Sequence, residues 1–226
     1  MINLEDVLKS DKIRALVEHS NKCLEIIGYT DHGPRHVGYV SRIAAEILEK
    51  LGRPERRVEL AKIAGWVHDV GNMINRKNHG LNGAALLFPI LCDMGMPVDE
   101  VCDICAAVGS HEEEIGQPIS DISAALIIAD KIDAHRARVR VRKYDAQDIH
   151  DRVNYAIQST KLHVGSGIIS ISYEMAQSAS PMDFLTIYLT RMLMCEKSAR
   201  FLGCGFALYI NGVKLNRLVE PDSNNV

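Results

Sequence analysis

The sequence predicts a mainly α-helical fold, in which a helical bundle is followed by a small antiparallel sheet of about three strands. Over most of the first 156 residues, apolar side chains recur every three or four positions, which is typical of amphipathic helices. From Ile169 the period changes to two, and Asn211-Gly212, a dipeptide favoured in tight hairpin turns, separates two short alternating segments. A helical bundle followed by a C-terminal sheet is the simplest arrangement that buries the apolar faces of both the helices and the strands.

Local signals support the individual helices. Pro34 suits a first helical position and Gly52 a helix end, so the clearest amphipathic helix runs between them. Gly71 ends the next helix in the same way. The other helices are predicted at about 7–27, 54–70, 79–94, 98–109, 120–138, 148–156 and 181–202, and the strands at 169–175, 206–210 and 213–215.

The domain organisation follows from length and continuity. A chain of 226 residues can bury one sizeable core, and no linker, internal repeat or low-complexity stretch interrupts it. We therefore predict a single domain over residues 1–226. Its core helices would cover about 7–145, and a β-containing extension about 160–220.

Charge and composition limit the classes of partner that the protein can have. The 26 basic and 29 acidic side chains leave a net charge of −3, which argues against a nucleic acid polymer and favours a small substrate. No apolar run is long enough to cross a membrane and no signal peptide is evident, so we expect a cytoplasmic protein without a membrane partner. The six cysteines are scattered, and the single CxxC, Cys102 to Cys105, cannot complete a zinc site alone.

Several polar residues share the apolar stripes of their predicted helices. His36 precedes Val40 at helical spacing, His68 follows Ala64, and Asp130 follows Leu126. A buried carboxylate costs several kcal/mol unless a cation compensates it, and a metal ion is the strongest compensation. One such histidine alone is more often a core residue bonded to a backbone carbonyl. Four histidines and two aspartates together favour a metal centre.

These residues carry a family resemblance. His36, the adjacent pair His68-Asp69, and Asp130 resemble the His, His-Asp, Asp signature of HD-domain phosphohydrolases, over about residues 31–136. His79 and His111 are similar to the two additional histidines of binuclear HD proteins, which include cyclic-dinucleotide phosphodiesterases with a GYP motif. The chain lacks that motif, so a cyclic dinucleotide is a poor substrate candidate.

The resemblance implies an HD-type helical bundle that holds two divalent transition metal ions, drawn from iron, manganese, zinc, cobalt and nickel. Its ligands would be His36, His68, Asp69, His79, His111 and Asp130, with Asp69 as the bridge. It also implies hydrolysis of a phosphate mono- or diester or anhydride, of a nucleotide or small phosphorylated metabolite, through a metal-bridging hydroxide. His68, Asp69 and Lys131 are the residues that we predict to be catalytic.

Four basic residues and one asparagine near the ligands could contact substrate phosphate. The candidates are Arg35, Asn72, Lys131, Arg136 and Arg138. Arg136 and Arg138 begin a basic strip that continues through Arg140, Arg142 and Lys143, which is either a solvated face or a phosphate-binding surface. The acidic run 112–114 is interpreted as a solvated loop, with an added ligand or proton donor at Glu112 as the alternative. His32 is expected to cap a helix or to support a ligand.

Two other functions stay open on the sequence. HD-fold mixed-valent di-iron oxygenases have a similar ligand set, and iron-specific activity would identify one. A non-catalytic, metal-stabilised regulatory module would bind metal without turnover. A homodimer is also possible, because the β-containing extension could form either a substrate pocket or a dimer contact.

Overall fold

The computed structural model describes residues 1–140 and 144–217, and Arg142 and Lys143 of the predicted basic strip lie outside them. Its helices are α1 (Leu4–Lys9), α2 (Asp11–Ile26), α3 (Pro34–Lys50), α4 (Glu55–Val67), α5 (His79–Asp93), α6 (Val98–Gly109), α7 (Asp121–Lys131), α8 (Ile149–Ala156) and α9 (Pro181–Phe201). Two short 3-10 turns cover Val70–Met73 and Arg136–Arg138. The predicted mainly helical fold is confirmed.

The first predicted helix is divided in two at Ser10. The Ser10 backbone N–H donates to the carbonyl of Val7, and its hydroxyl accepts from the N–H of Ile13. Ser10 thus ends α1 and caps α2, because its extended backbone cannot continue a helix.

Helices α3, α4 and α7 pack against one another and enclose the centre described below. Gly65 allows the close approach of α3 and α4, since a Cβ there would lie 2.5 Å from the Cα of Ser41. This approach brings His36 on α3 next to His68 at the end of α4. Apolar side chains on the inward faces form one connected core.

Helix α7 ends at Lys131, seven residues before the predicted end at Arg138. After Ile132 the chain leaves the helix, and the N–H of Ala134 donates to the Ile132 carbonyl at 2.7 Å. This turn buries Asp133, which accepts a hydrogen bond from the His36 ring. A tertiary contact therefore outweighs the helical propensity of this segment.

The sheet has four strands in the order β1 (Ile157–Gly165), β2 (Ile168–Met175), β3 (Gly205–Ile210) and β4 (Val213–Lys214). Strands β1 and β2 pair antiparallel, as do β3 and β4. The turn Asn211-Gly212 has positive φ at both residues, as predicted for a two-residue hairpin.

The sheet differs from the prediction in two respects. Strand β3 runs parallel to β2, because α9 connects them and returns the chain to the starting end of β2. The sheet is therefore mixed. Strand β1 was not predicted, since it is an edge strand with mostly exposed or half-buried side chains and no clear alternation.

Helix α9 packs against α7 as well as against β3. The C-terminal segment thereby reaches the helix that carries Asp130. None of the described helices combines the length and apolar character that crossing a bilayer requires.

Candidate metal centre and substrate pocket

The six side chains predicted as metal ligands converge in a buried centre between α3 and α7. Each stands at or near a helix end. They are His36 in the first turn of α3, His68 and Asp69 directly after α4, His79 at the first position of α5, His111 just beyond α6, and Asp130 next to the last residue of α7. The four histidines are buried, and 13% of the Asp130 side chain is exposed.

The four imidazoles are oriented by hydrogen bonds of their Nδ1 atoms. Three of these bonds go to backbone carbonyls, which only accept, so the proton of each neutral ring lies on Nδ1. The partners are Gly65 O for His68 at 2.9 Å, Arg76 O for His79 at 2.9 Å, Val108 O for His111 at 2.6 Å, and Asp133 Oδ2 for His36 at 2.7 Å. The Nε2 lone pairs are left to face the centre.

The inward-facing nitrogens form two close pairs. The Nε2 atoms of His36 and His68 are 3.3 Å apart, and those of His79 and His111 are 3.1 Å apart. Two acceptors at this distance repel each other unless a proton or metal ion lies between them. The separation suits two nitrogens that share one ion, given metal–nitrogen bonds of about 2.1 Å.

Asp69 lies between the two pairs. Its Oδ2 is 3.5 Å from His36 Nε2 and 3.3 Å from His68 Nε2, whereas its Oδ1 is 3.5 Å from His79 Nε2 and 4.0 Å from that of His111. Oδ2 is buried and has no hydrogen-bond partner within the described part of the chain. A buried oxygen of this kind requires a cation, so the donor set fits bound metal.

Asp130 completes the first pair. Its Oδ1 is 3.4 Å from His36 Nε2 and 3.6 Å from His68 Nε2, and its Oδ2 accepts a 2.7 Å hydrogen bond from the Lys131 ammonium. His36, His68 and Asp130 form one group of potential ligand atoms that lie within 4.8 Å of one another. His68, Asp69 and His111 form a second such group.

The protonation of the centre shows how strongly it attracts positive charge. Burial disfavours the imidazolium of His68, but the carboxylates of Asp69 and Asp130 outweigh burial and raise the pKa of His68 to about 10. Burial similarly opposes ionisation of both aspartates, yet the neighbouring cations hold their pKa values well below the usual range. Burial lowers the pKa of both His79 and His111, so these rings are neutral. Without a metal, a proton on His68 balances part of the carboxylate charge.

Asp133 supports the centre and was not among the predicted site residues. Its Oδ2 accepts from His36 Nδ1 and from the guanidinium of Arg35, and Arg138 Nε lies 3.8 Å away. Carboxylates in this position fix the ring of a metal-binding histidine and raise its basicity. The sequence feature that could have indicated Asp133 is its position three residues after Asp130.

We expect Asp133→Asn to lower metal affinity about 10- to 100-fold, because an amide orients His36 without the negative charge that increases its basicity. The affinity can be measured by competition with a metal-sensitive dye. The control is Asp103→Asn, which removes a carboxylate that pairs with Arg57 at the surface. Equal affinities in wild type and Asp133→Asn would refute the supporting role.

A cavity of about 770 Å³ opens onto the centre. Asp69, His79 and Asp130 line it, so a ligand in the cavity can reach the centre directly. Its size lies within the range of about 300–1,000 Å³ that is usual for small-molecule sites. Basic residues of the wall are Arg76, Lys77, Lys131, Arg138 and Arg191.

Of the predicted phosphate-binding residues, only Lys131 has a suitable place. Arg35 pairs with Asp133 outside the cavity, and Arg136 lies over the ring of Tyr155, also outside it. Arg138 borders the cavity, but its three guanidinium nitrogens donate to Asp31 O, Asp133 O and His32 Nε2. Arg35 and Arg138 are structural because buried acceptors already bind them, and Arg136 does not line the cavity.

Asn72 contacts Asp69 and not the cavity. Its side chain is buried and donates to Asp69 Oδ1 at 2.9 Å and to the Asp69 carbonyl at 3.0 Å. Asn72 therefore orients Asp69 from behind and does not line the cavity.

Two arginines of the cavity wall were missed by the sequence reasoning. Arg76 lies over the Tyr29 ring, and its Nη1 is 3.3 Å from Asn72 Oδ1 and 3.5 Å from His79 Nε2. Arg191 lies over the Tyr188 ring on α9. Arg76 follows a short turn, and the sequence around it has no pattern that would indicate a site residue. Arg191 could have been noticed, because it follows the buried Tyr188 by three positions on one helical face.

The acidic run after His111 is solvated only at Glu114, whereas Glu112 and Glu113 make contacts within the protein. Glu112 is buried, and its carboxylate accepts from the backbone N–H of Asn78 at 3.0 Å and of Gly80 at 3.4 Å. It thus anchors the start of α5 below His79. Glu113 pairs with Lys131 and Arg191.

His32 has the supporting place expected for it. Its Nδ1 donates to Thr30 O at 2.7 Å, and its Nε2 accepts from Arg138 at 2.8 Å. Both ring nitrogens are therefore occupied, which leaves none for a metal.

The chain is similar to a family model, to a relative of known sequence and to a solved structure. The HD domain family model matches residues 35–135, which contain all six converging side chains. The uncharacterised protein MJ1020 of Methanocaldococcus jannaschii is 23% identical over 159 residues, and the match covers 61% of this chain and 61% of that protein. A crystal structure of a predicted HD superfamily hydrolase from an uncultured Thermotogales bacterium is 22% identical, covers 59% of this chain and 75% of its own, and has a TM-score of 0.43. Over residues 35–135, this chain is therefore similar to HD domains.

Proposed function

We propose that the protein is a metal-dependent phosphohydrolase that acts on a phosphate mono- or diester or anhydride of a small, nucleotide-like metabolite. The observation that carries the proposal is the position of Asp69. Its carboxylate faces two histidine pairs, has a buried oxygen without a hydrogen-bond partner in the described chain, and lines a cavity whose wall also includes Arg76 and Lys131. The HD domain over residues 35–135 supports a hydrolase of this type.

The metal site would be held by the six residues of the centre, with His36, His68 and Asp130 on one side of Asp69 and His79 and His111 on the other. When bound, divalent ions would supply a nucleophile from water at neutral pH and would stabilise charge on the phosphoryl oxygens.

The residues of the chain orient these groups and compensate charge. Asn72 holds Oδ1 of Asp69, and Asp133 holds the ring of His36, so neither side chain can rotate freely. Lys131 and Arg76 lie on the cavity wall beside Asp130 and His79 respectively. Their positive charges would bind non-bridging phosphate oxygens and favour negative charge that develops during transfer.

The test is elemental analysis of the purified protein together with phosphatase and phosphodiesterase assays in added manganese, nickel, magnesium or iron. We expect close to two transition metal ions per chain and phosphate release from at least one class of ester or anhydride. Two ions without phosphate release from any class would refute the hydrolase.

The same experiment separates the other two functions. Two irons, oxygen consumption and no phosphate release would identify an oxygenase. Tight metal binding without any turnover would identify a regulatory module.

A further inference from the structure

The segment after the HD domain contributes to the cavity wall. Helix α9 packs along α7, and Tyr188 and Arg191 of α9 line the cavity together with Asn154 of α8. The family match ends at residue 135, so these three side chains lie outside the matched region. What this wall binds would distinguish its substrate.

Arg191 is held rigidly on one side. Its Nε donates to Glu113 at 2.8 Å, and its guanidinium carbon lies 4.9 Å from the centroid of the Tyr188 ring. Tyr188 is itself fixed, because it is buried and its hydroxyl donates to Asn154 at 2.8 Å. Such a guanidinium loses little conformational entropy when it binds an anion.

The other side of the Arg191 guanidinium is free. Its two terminal nitrogens have no hydrogen-bond partner in residues 1–140 and 144–217, and 28% of the side chain is exposed. Since Arg191 lines the cavity, these nitrogens offer a planar pair of donors to a ligand there. A planar pair matches the two oxygens of a carboxylate or phosphate.

A series of charges connects Arg191 to the metal centre. Asp130 accepts from Lys131 at 2.7 Å, Lys131 lies 3.4 Å from Glu113, and Glu113 accepts from Arg191 at 2.8 Å. Lys131 is thus next to the centre, whereas Arg191 stands two contacts farther out. A phosphoryl group at the centre would meet Lys131 first, and a more distant part of the same molecule would meet Arg191.

From this arrangement we propose that Arg191 is a specificity residue that binds a second anionic group of the substrate, a carboxylate or a further phosphate, beyond the phosphate at the centre. The inference rests on the proposed function and deepens it, because it names the substrate class as phosphate compounds with a second anion. The second group binds to α9 and takes no part in bond cleavage.

The test uses phosphonates, which are not hydrolysed, so that binding is measured without turnover. Propylphosphonate is compared with 3-phosphonopropionate, and butylphosphonate with 4-phosphonobutyrate, by calorimetry on the manganese-loaded protein. Each pair differs by a terminal carboxylate, and the two lengths allow for its distance from the centre. A charged, bidentate contact predicts that the carboxylated member of at least one pair binds about tenfold more tightly.

The variants are Arg191→Ala and Arg191→Lys, with Arg200→Ala as the matched control. Arg200 is on the same helix, exposed, and paired with Glu196. We expect Arg191→Ala to lose the preference for the carboxylated phosphonates while its affinity for the alkylphosphonates changes less than about threefold. Arg191→Lys should retain part of the preference, because it keeps the charge but not the planar pair of donors. Arg200→Ala should retain all of it.

A wild-type protein without any preference, or a preference that survives in Arg191→Ala, would overturn the proposal. Metal content and thermal unfolding of each variant are measured in parallel, and Arg191→Lys decides the result if Arg191→Ala does not fold. The hydrolase proposal fails separately, because absence of phosphate release does not affect phosphonate binding.

Discussion

Replacing Asp69 by alanine is expected to remove the metal ions and phosphate release together. Asp69 is the side chain that faces both histidine pairs, and its removal leaves four imidazoles and Asp130 with one carboxylate fewer to compensate two cations. Loss of metal assistance amounts to several kcal/mol of transition-state stabilisation, which corresponds to a decrease in rate of about 1,000-fold or more. Metal content by elemental analysis and phosphate release with the best substrate measure the two effects.

The control for this variant is Asp93→Ala, which removes an exposed carboxylate that pairs with Lys12. It should retain both metal and activity. Circular dichroism should show that Asp69→Ala keeps its helices, because the connected apolar core does not include Asp69. An Asp69→Ala protein that is metal-free and fully active would disprove the mechanism.

Metal binding is expected to strengthen by about tenfold per pH unit between about pH 6 and pH 8. In the metal-free protein, burial opposes protonation of His68, but Asp69 and Asp130 raise its pKa to about 10, so His68 carries a proton throughout this range. A metal ion must displace that proton. Dye competition at a series of pH values measures the slope, and calorimetry in two buffers counts the protons released. An affinity that does not depend on pH would contradict the role of His68.

The raised pKa of His68 also makes the stability of the metal-free protein depend on pH. This stability decreases as the pH rises, whereas metal affinity increases. The folded state holds the His68 proton more tightly than the unfolded chain, where the pKa is about 6.5. The stabilisation is therefore fully present below about pH 6.5 and is lost as the pH rises towards 10. Urea unfolding of the metal-loaded protein is the control, because metal replaces the proton and removes this slope.

The structure brings together all six predicted ligands but not most of the predicted phosphate-binding residues. Ligands such as His36 and His68 could be recognised because they share apolar helical stripes and a family signature, both of which are local patterns. Arg35 and Arg138 could not be judged in this way, since a sequence does not show whether a charge is already paired. In the structure, the Asp133 carboxylate binds Arg35, and the Asp133 carbonyl accepts a hydrogen bond from Arg138.

By itself, the sequence determined the helical bundle, the late hairpin at Asn211-Gly212, the HD signature and the candidate ligands. Each of these depends on residues close together in the chain or on spacing within one element. Only the tertiary structure decided that β2 and β3 run parallel, that Asp133 supports His36, and that α9 brings Arg191 to the cavity. The physical reason is that these features depend on which surfaces pack together, and packing joins residues that are far apart in the sequence.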